Sequence, residues 1–337
     1  MLICGAFYDG NYDHPCAVAF RLNSNGIPDP TFSNDLTGSY FQTNDNNVDI
    51  TSIGCSLFDN NKSIAAFTYE DPNVLSLMLA KFTSAGDEDL TFDDDGVKFV
   101  TLFDGLRISD IKDDGTNMYL CGYFKDFDSN LSVVIKIDQN GNFISGFANN
   151  GFSDLGNDAD ESAPQALCLT EDGSVFATGQ DVSGNAFVAK LNSDGFMDFS
   201  FGTSGFAYYN NSTDPIGLTI SVTPTGQITI AGKEFDEEGL NQSFIARFNV
   251  DGTPDNNFDV DGICRPEFDF EEDILIGLHI LNDGDLLTTG YGNMTENRDQ
   301  FICAKFNISG VGVLIGGQSK VRYLSESRYR RIIHSLK

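Results

Sequence analysis

A short motif recurs along this chain at intervals of 54 to 60 residues. Each copy places a basic residue five positions before a glycine, and the basic members are Arg21, Lys81, Lys136, Lys190, Arg247 and Lys305. Six positions after that glycine, five copies carry a phenylalanine: Phe32, Phe92, Phe147, Phe201 and Phe258. Ten positions after it, four copies carry a second glycine: Gly96, Gly151, Gly205 and Gly262. A fixed period of this length is typical of folds built from repeated supersecondary units.

Between successive motifs the chain alternates apolar and polar residues around DG or TG turns. Examples are QALCLTEDG (165–173) followed by SVFATGQ (174–180), and IGLTISVTPTG (216–226) followed by QITIAGKE (227–234). This pattern predicts β-hairpins, and no segment keeps a helical period. Each repeat therefore holds about four short strands. The first follows the second glycine, and the last carries the basic residue.

The phase of the repeat predicts a ring. Six units of this period fill 337 residues, and LICG (2–5) aligns with FATG (176–179), so the chain begins in the third strand of a unit. Residues 321–326 and 331–337 then fall on the first and second strands. We predict a complete chain that forms an all-β, six-bladed β-propeller of four-stranded antiparallel blades. One domain spans 1–337, and segments 1–26 and 311–337 close one blade. An open solenoid is the alternative.

Two strings carry a resemblance to a known family. FIARFNVDGTPDNNFDVDG (244–262) and FVAKLNSDGFMDFSFGTSG (187–205), each followed by a β-hairpin ending in TG or AG, resemble the delta-60 repeat. The third unit, GNFISGFANNG, departs from the pattern because it lacks the Asp three positions after its glycine. The resemblance covers nearly the whole chain. It implies a β-rich, propeller-like bacterial repeat protein and brings no catalytic residues.

Charge excludes several classes of partner. The chain has 50 Asp and Glu against 20 Lys and Arg, a formal net charge of −30, so we expect no binding to nucleic acid. No apolar run is long enough for a transmembrane segment, and the N-terminus shows no classical signal peptide. The compartment stays open between the cytoplasm and export by another route. Seven scattered cysteines without a CxxC pair predict buried thiols rather than zinc ligands.

The repeated basic residues have a structural interpretation. A single site would not need a cation in every unit. We expect their aliphatic stems to cover the sheets and their charged ends to meet acidic loops. The phenylalanine of each unit is expected in the core.

Two acidic turns are candidate calcium sites. Asp93 and Asp95 precede Gly96, and Asp259 and Asp261 precede Gly262, in the spacing of part of a calcium loop. No glutamate occupies the twelfth position of an EF-hand loop, so that motif is rejected. The alternative is an ordinary turn in which each aspartate binds its own backbone. Calcium is the one cofactor that the sequence leaves open.

Catalytic machinery is sparse. The chain has no HExxH, GxSxG or GxxxxGK[ST] motif. If the strand after the second glycine lines a central channel, then Asp154, Tyr208 and Arg265 fall at equivalent positions of three units, with His334 on the last strand. These four residues are the candidates for a polar pocket of an enzyme.

The C-terminal segment differs in charge from the rest. Residues 320–337 carry six basic residues and one acidic residue. Such a segment suits a cationic closing strand on an anionic ring. A basic amphipathic helix that contacts a membrane surface or a partner is the alternative.

These observations favour a monomeric, non-enzymatic binding scaffold that recognises a protein or a glycan through loops or the channel mouth. An enzyme with a polar channel pocket and a calcium-stabilised extracellular repeat protein are the alternatives.

Overall fold

The computed structural model describes an all-β protein. The described residues form 23 strands and contain no helix, so none of them forms a helix that could span a membrane. The chain divides into two compact units, Met1–Ala163 and Pro164–Lys337. The described residues are 2–8, 15–25, 27, 29–32, 39–42, 49–57, 62–71, 74–100, 106–125, 130–156, 164–210, 212–259, 261–294, 298–307, 309–310 and 312–316.

The first unit contains three antiparallel sheets in which strands pair in chain order. Sheet 1 has three strands: β1 (Leu2–Tyr8), β2 (Pro15–Arg21) and β3 (Ser39–Gln42). Sheet 2 has four: β4 (Asp49–Leu57), β5 (Ser63–Asp71), β6 (Val74–Phe82) and β7 (Val97–Val100). Sheet 3 also has four: β8 (Leu106–Asp113), β9 (Asn117–Lys125), β10 (Asn130–Asp138) and β11 (Phe152–Asp154).

The second unit contains three four-stranded sheets of the same order. Sheet 4 consists of β12 (Pro164–Leu169), β13 (Val175–Gln180), β14 (Ala186–Leu191) and β15 (Phe206–Tyr209). Sheet 5 consists of β16 (Thr213–Val222), β17 (Ile228–Phe235), β18 (Asn241–Phe248) and β19 (Ile263–Cys264). Sheet 6 consists of β20 (Glu272–Ile280), β21 (Leu286–Met294), β22 (Arg298–Phe306) and β23 (Gly312–Gly316).

The sheets pack face to face through apolar side chains. In the second unit, Phe244 and Ala246 of sheet 5 join Val188 of sheet 4 in one core cluster. On the opposite face of sheet 5, Ile245 joins Leu275 of sheet 6 in another. Successive residues of a strand point to opposite faces, so a central strand covered on both faces reads as a continuous apolar run. This explains why the inner strands lack the clean alternation of a half-exposed sheet.

A fixed backbone turn follows Lys81, Lys136, Lys190 and Arg247, and we call the segment from the basic residue through the following phenylalanine and second glycine the turn module. In four modules the basic residue's N–H donates to the carbonyl of the second glycine at 2.8–3.1 Å, and that glycine's N–H donates to the phenylalanine carbonyl at 2.7–2.9 Å. The second glycines have φ between 85° and 98°, a region that disfavours residues with a Cβ. The repeated spacing is therefore the signature of this turn.

The cation and the phenylalanine of the module meet in space. Arg247 lies 4.5 Å from the Phe258 ring centroid and forms a 2.8 Å ion pair with Asp255. Arg21 and Lys190 form ion pairs of 2.9 Å with the equivalent aspartates, Asp29 and Asp198. All five module phenylalanines are 3% exposed or less. The expectations that the cations are structural and the phenylalanines lie in the core are confirmed in these modules.

The order of strands corrects one prediction. The strand after the second glycine is not the first strand of the next sheet, because it pairs with the strand that carries the preceding basic residue. In sheet 6 that role is taken by β23, directly after Gly310, because the last copy has neither the phenylalanine nor the second glycine of the module. Residues 321–326 were expected in this role. They lie outside the described residues.

The all-β, repeated, antiparallel architecture is thus confirmed, with six sheets in the described residues. Six blades in one closed ring and a single domain over 1–337 stay predictions. Cys55, Cys121, Cys168, Cys264 and Cys303 are free thiols, and Cys121 and Cys264 are buried, as expected for structural thiols.

The module ion pair makes a prediction about stability. Arg247 and Asp255 have side-chain exposures of 7% and 1%, so Arg247→Met leaves a buried carboxylate whose remaining side-chain donors are the neutral amides of Gln227 and Asn257. We expect a loss of about 3 kcal/mol in the free energy of unfolding, measured by urea denaturation.

Lys305→Met is the matched control. The Lys305 side chain, 34% exposed, pairs with Asp283 and Asp285, and we expect a much smaller loss because water solvates the freed carboxylates. Equal losses in the two variants would show that the buried pair adds nothing beyond surface electrostatics.

Candidate functional site

The four predicted channel residues fall into different places. Asp154 ends β11 in the first unit, and its Oδ1 accepts a hydrogen bond from Gly156 N at 2.6 Å. Tyr208 lies on β15, and Arg265 follows β19, in the second unit. His334 lies outside the described residues. Only Arg265 takes part in a polar side-chain network.

The predicted channel assignment depended on which strand is innermost. In the second unit β12 contacts β16 and β16 contacts β20, so the first strands of successive sheets are adjacent. The fourth strands, which carry or precede the candidates, form the opposite edges of the sheets. The candidates therefore lie at the edge of each sheet opposite to its first strand.

Arg265 closes a three-membered network with Tyr209 and Glu234. Its Nε donates to Glu234 Oε1 at 2.8 Å, and its Nη2 donates to the Tyr209 hydroxyl at 2.6 Å. The Tyr209 hydroxyl in turn donates to Glu234 Oε2. Glu234 and Tyr209 are buried, whereas the Arg265 side chain is 44% exposed. The network ties the edge of sheet 4 to sheet 5.

The electrostatics of this network favour binding over proton transfer. Burial raises the pKa of Tyr209 well above its usual value, and the hydrogen bond to Glu234 adds to this. Burial lowers the pKa of Arg265, but the charges of Tyr209 and Glu234 more than offset it, so the guanidinium stays protonated. Neither group changes charge near neutral pH. The part of the network that a ligand could contact is the exposed edge of the Arg265 guanidinium.

Sequence reasoning missed Tyr209 and Glu234. Tyr208 was chosen by its offset from the second glycine, but β15 has alternating burial in which Ala207 and Tyr209 point inward. An error of one position along a strand exchanges its two faces. The alternation of small and aromatic residues in FAYY does not reveal which face is covered.

The four calcium candidates lie in tight turns. Asp93 and Asp259 adopt positive φ, 53° and 50°, as expected in turns. Asp95 Oδ1 accepts the Val97 N–H at 2.9 Å, and Asp261 Oδ1 accepts the Ile263 N–H at 3.1 Å. Within the described part of the chain, no group of three His, Cys, Asp or Glu side chains is arranged to hold a metal. A calcium role for these turns stays a prediction.

A groove opens between equivalent hairpin turns of sheets 4 and 5. Its volume is about 480 Å³, and it is lined by the 170–174 and 223–226 turns together with Val250. Glu171 and Asp172 are exposed in the first turn, and Thr170 Oγ1 donates to Asp172 Oδ1 at 2.6 Å. Binding pockets for small ligands typically have volumes of about 300–1,000 Å³. The groove was not predicted, because it depends on how two sheets pack.

One family model matches part of the chain. A domain of unknown function (DUF5122), described as a beta-propeller, matches residues 223–258. The match covers the hairpin turn, β17, β18 and the turn module through Phe258. It supports a β-propeller-like repeat and does not extend to the delta-60 name. No curated protein matches the chain.

Several solved structures are similar in fold at low identity. The polysaccharide lyase Uly1 is 12% identical with a TM-score of 0.43, over 77% of this chain and 58% of the lyase. A PL25 ulvan lyase is 11% identical with a TM-score of 0.40, over 93% and 87%. The GH43 endo-arabinanase from Bacillus licheniformis is 12% identical with a TM-score of 0.35, over 77% and 94%. At these values the likeness does not extend to activity or substrate.

The Tyr209 network makes a prediction with an adjacent control. Tyr209→Phe removes the hydroxyl that donates to buried Glu234, and we expect about 1–3 kcal/mol lower stability by urea denaturation. Tyr208→Phe changes the outward-facing neighbour, and we expect a loss below about 0.5 kcal/mol. A larger loss for Tyr208→Phe would mean that the predicted residue, rather than the observed one, holds this edge.

Proposed function

We propose that the six sheets form one closed β-propeller and that the C-terminal segment completes sheet 1. In the described residues sheet 1 has three strands, counterparts of the second, third and fourth strands of the other sheets. To match the other sheets it needs a counterpart of their first strands, which are β4, β8, β12, β16 and β20. Residues 331–337, RIIHSLK, supply an apolar, basic strand of that type in the repeat phase. The blade shared by the two ends of the chain then contains three N-terminal strands and one C-terminal strand, rather than two from each end.

The outer face of sheet 6 supports this closure. Tyr291 and Phe301 are directly opposite on β21 and β22, and they are 41% and 63% exposed. Their counterparts in the preceding sheet, Lys233 and Ser243, lie on the side that faces sheet 6. In a ring, each sheet is covered on both faces by its neighbours. The apolar outer face of sheet 6 is therefore the surface that sheet 1 would cover in a closed ring.

Truncation tests the closure. A chain ending at Gly317 loses the proposed fourth strand, and we expect its melting temperature to fall and its unfolding to lose cooperativity. Replacing Arg330 and Arg331 by Gln in the full chain controls for lost charge, and we expect little change. An unaltered melt after truncation would contradict closure and leave the basic segment available for a partner or a membrane surface.

We propose that the protein is a non-enzymatic scaffold that binds a neutral glycan in the groove between sheets 4 and 5. The groove itself is the observation that carries this proposal. Its walls combine the hydroxyls and carboxylates of the turns with the apolar side chains of Val222 and Val250. A sugar ring likewise has polar edges and apolar faces. The volume of the groove suits a short stretch of a glycan chain rather than the surface of a partner protein.

Charge restricts the ligand class. The groove is lined by Glu171 and Asp172, and the cation in its lining, Lys190, is paired with Asp198 at 2.9 Å. The chain as a whole has a formal net charge of −30. Sulfated or uronic glycans would be repelled at this site, whereas neutral sugars donate hydroxyl hydrogens to the carboxylates.

The enzyme alternative would need a general acid in the groove. The hydrogen bond from Thr170 lowers the pKa of Asp172, so this carboxyl group is ionised at neutral pH and is a poor proton donor. This supports binding over hydrolysis. Release of shorter oligosaccharides from a bound glycan would favour the enzyme instead.

Affinity electrophoresis in gels that contain neutral polysaccharides tests the groove. For a polysaccharide that retards the wild type, we expect Glu171→Ala to bind about tenfold more weakly, because one charge-assisted hydrogen bond is lost. Asp113→Ala, which removes the carboxylate at the equivalent position of the sheet 3 hairpin turn, is the matched control and should bind normally. Equal retardation of wild type and Glu171→Ala, or retardation only in acidic polysaccharides, would contradict the proposal.

A further inference from the structure

Sheets 5 and 6 meet at a corner that contains several buried oxygen atoms. The start of β18 contributes Asn241 and Ser243, and the start of β20 contributes Glu272 and Asp273. The structure gives no hydrogen-bond partner for Asn241 Oδ1, Ser243 Oγ or Asp273 Oδ2 within the part of the chain it describes. Asn293, directly opposite Glu272 on β21, adds a fourth such atom, Oδ1.

Hydrogen bonds between the two strands hold these residues together. Ser243 N donates to Asp273 Oδ1 at 2.9 Å, which places the carboxylate beside the Ser243 side chain. Asn241 N and Nδ2 both donate to Glu272 Oε1, at 3.1 and 2.9 Å. The Asn241 side-chain atom that bonds Glu272 is thus its amide nitrogen, and its amide oxygen takes no part in this contact. The corner is fixed by backbone and amide donors, and its remaining polar atoms are oxygens.

Asp273 is the costly member of this corner. Its side chain is 1% exposed, and one carboxylate oxygen has no donor. Burial raises the pKa of Asp273 to about 6, although the backbone amide of Ser243 and its nearby hydroxyl oppose this shift. A buried carboxylate with an unpaired oxygen destabilises the folded state unless a cation or a proton compensates it.

We propose that this corner binds one calcium ion through Asp273, Ser243, Asn241 and Glu272. Calcium prefers carboxylate, amide and hydroxyl oxygens, and these are the donors present. Two carboxylates balance the charge of one divalent ion. Glu272 is partly exposed, so water at this side of the site would supply the remaining ligands. The site is separate from the acidic turns and from the groove, and it does not depend on glycan binding.

Calcium titration of the full chain, stripped with chelator, tests this site. We expect calorimetry to show one calcium ion bound per chain and the melting temperature to rise when calcium replaces chelator at neutral pH. Magnesium should compete poorly, because it requires smaller, near-octahedral coordination. Asp273→Asn keeps the shape of the side chain and removes its charge. It should weaken calcium binding at least tenfold and abolish the thermal shift.

Two further variants separate the outcomes. Ser243→Ala keeps the backbone donor to Asp273 and removes one proposed ligand, so it should weaken calcium binding even if Asp273→Asn folds poorly. Asp95→Asn and Asp261→Asn alter the acidic turns and should leave binding unchanged. Absence of calcium binding in the wild type, or loss of binding in the turn variants with Ser243→Ala unaffected, would overturn the proposal.

Discussion

The structure depends on one repeated contact, in which a strand cation lies over a phenylalanine that the following turn buries. In Arg247 this contact combines a ring at 4.5 Å with a buried aspartate at 2.8 Å. The backbone of the same turn bonds back to the cation's own peptide unit. One short segment thereby fixes the end of the third strand, places an aromatic ring in the core and directs the fourth strand into the same sheet.

The excess of acidic residues makes this contact more valuable. With 50 acidic and 20 basic residues, a compact state concentrates the repulsion between carboxylates. The module cations reduce it locally, and in the fifth module Arg247 lies beside an aspartate whose side chain is 1% exposed. The third module shows that the aromatic part can serve alone. Ile144 replaces the aspartate there, and Lys136 lies 4.7 Å from the Tyr119 ring and 5.7 Å from Phe147.

Sequence reasoning predicted what is encoded locally. The spacing from Lys190 to Phe201 and Gly205 predicted the turn, and alternation predicted the hairpins, because backbone bonds and side-chain faces determine both. Strand order within a sheet was wrong, since the same turn could feed either the preceding sheet or the next. The site was missed for a related reason. Positions 208 and 209 are both tyrosine. Only the packing of Tyr209 against Phe244, with ring centroids 4.8 Å apart, shows which side chain is covered.

Glu234 and Asp273 are both buried in the second unit, but they are compensated in different ways, and the difference indicates where a ligand is needed. Glu234 receives donors on both oxygens, from Tyr209 and Arg265, so its charge is compensated by the chain itself. Asp273 receives one backbone donor, and the side chains around it present oxygens. The network of Tyr209, Glu234 and Arg265 stabilises the fold because its polar groups bond to one another. The corner around Asp273 does not, because each further buried oxygen without a donor destabilises the fold until a cation binds there.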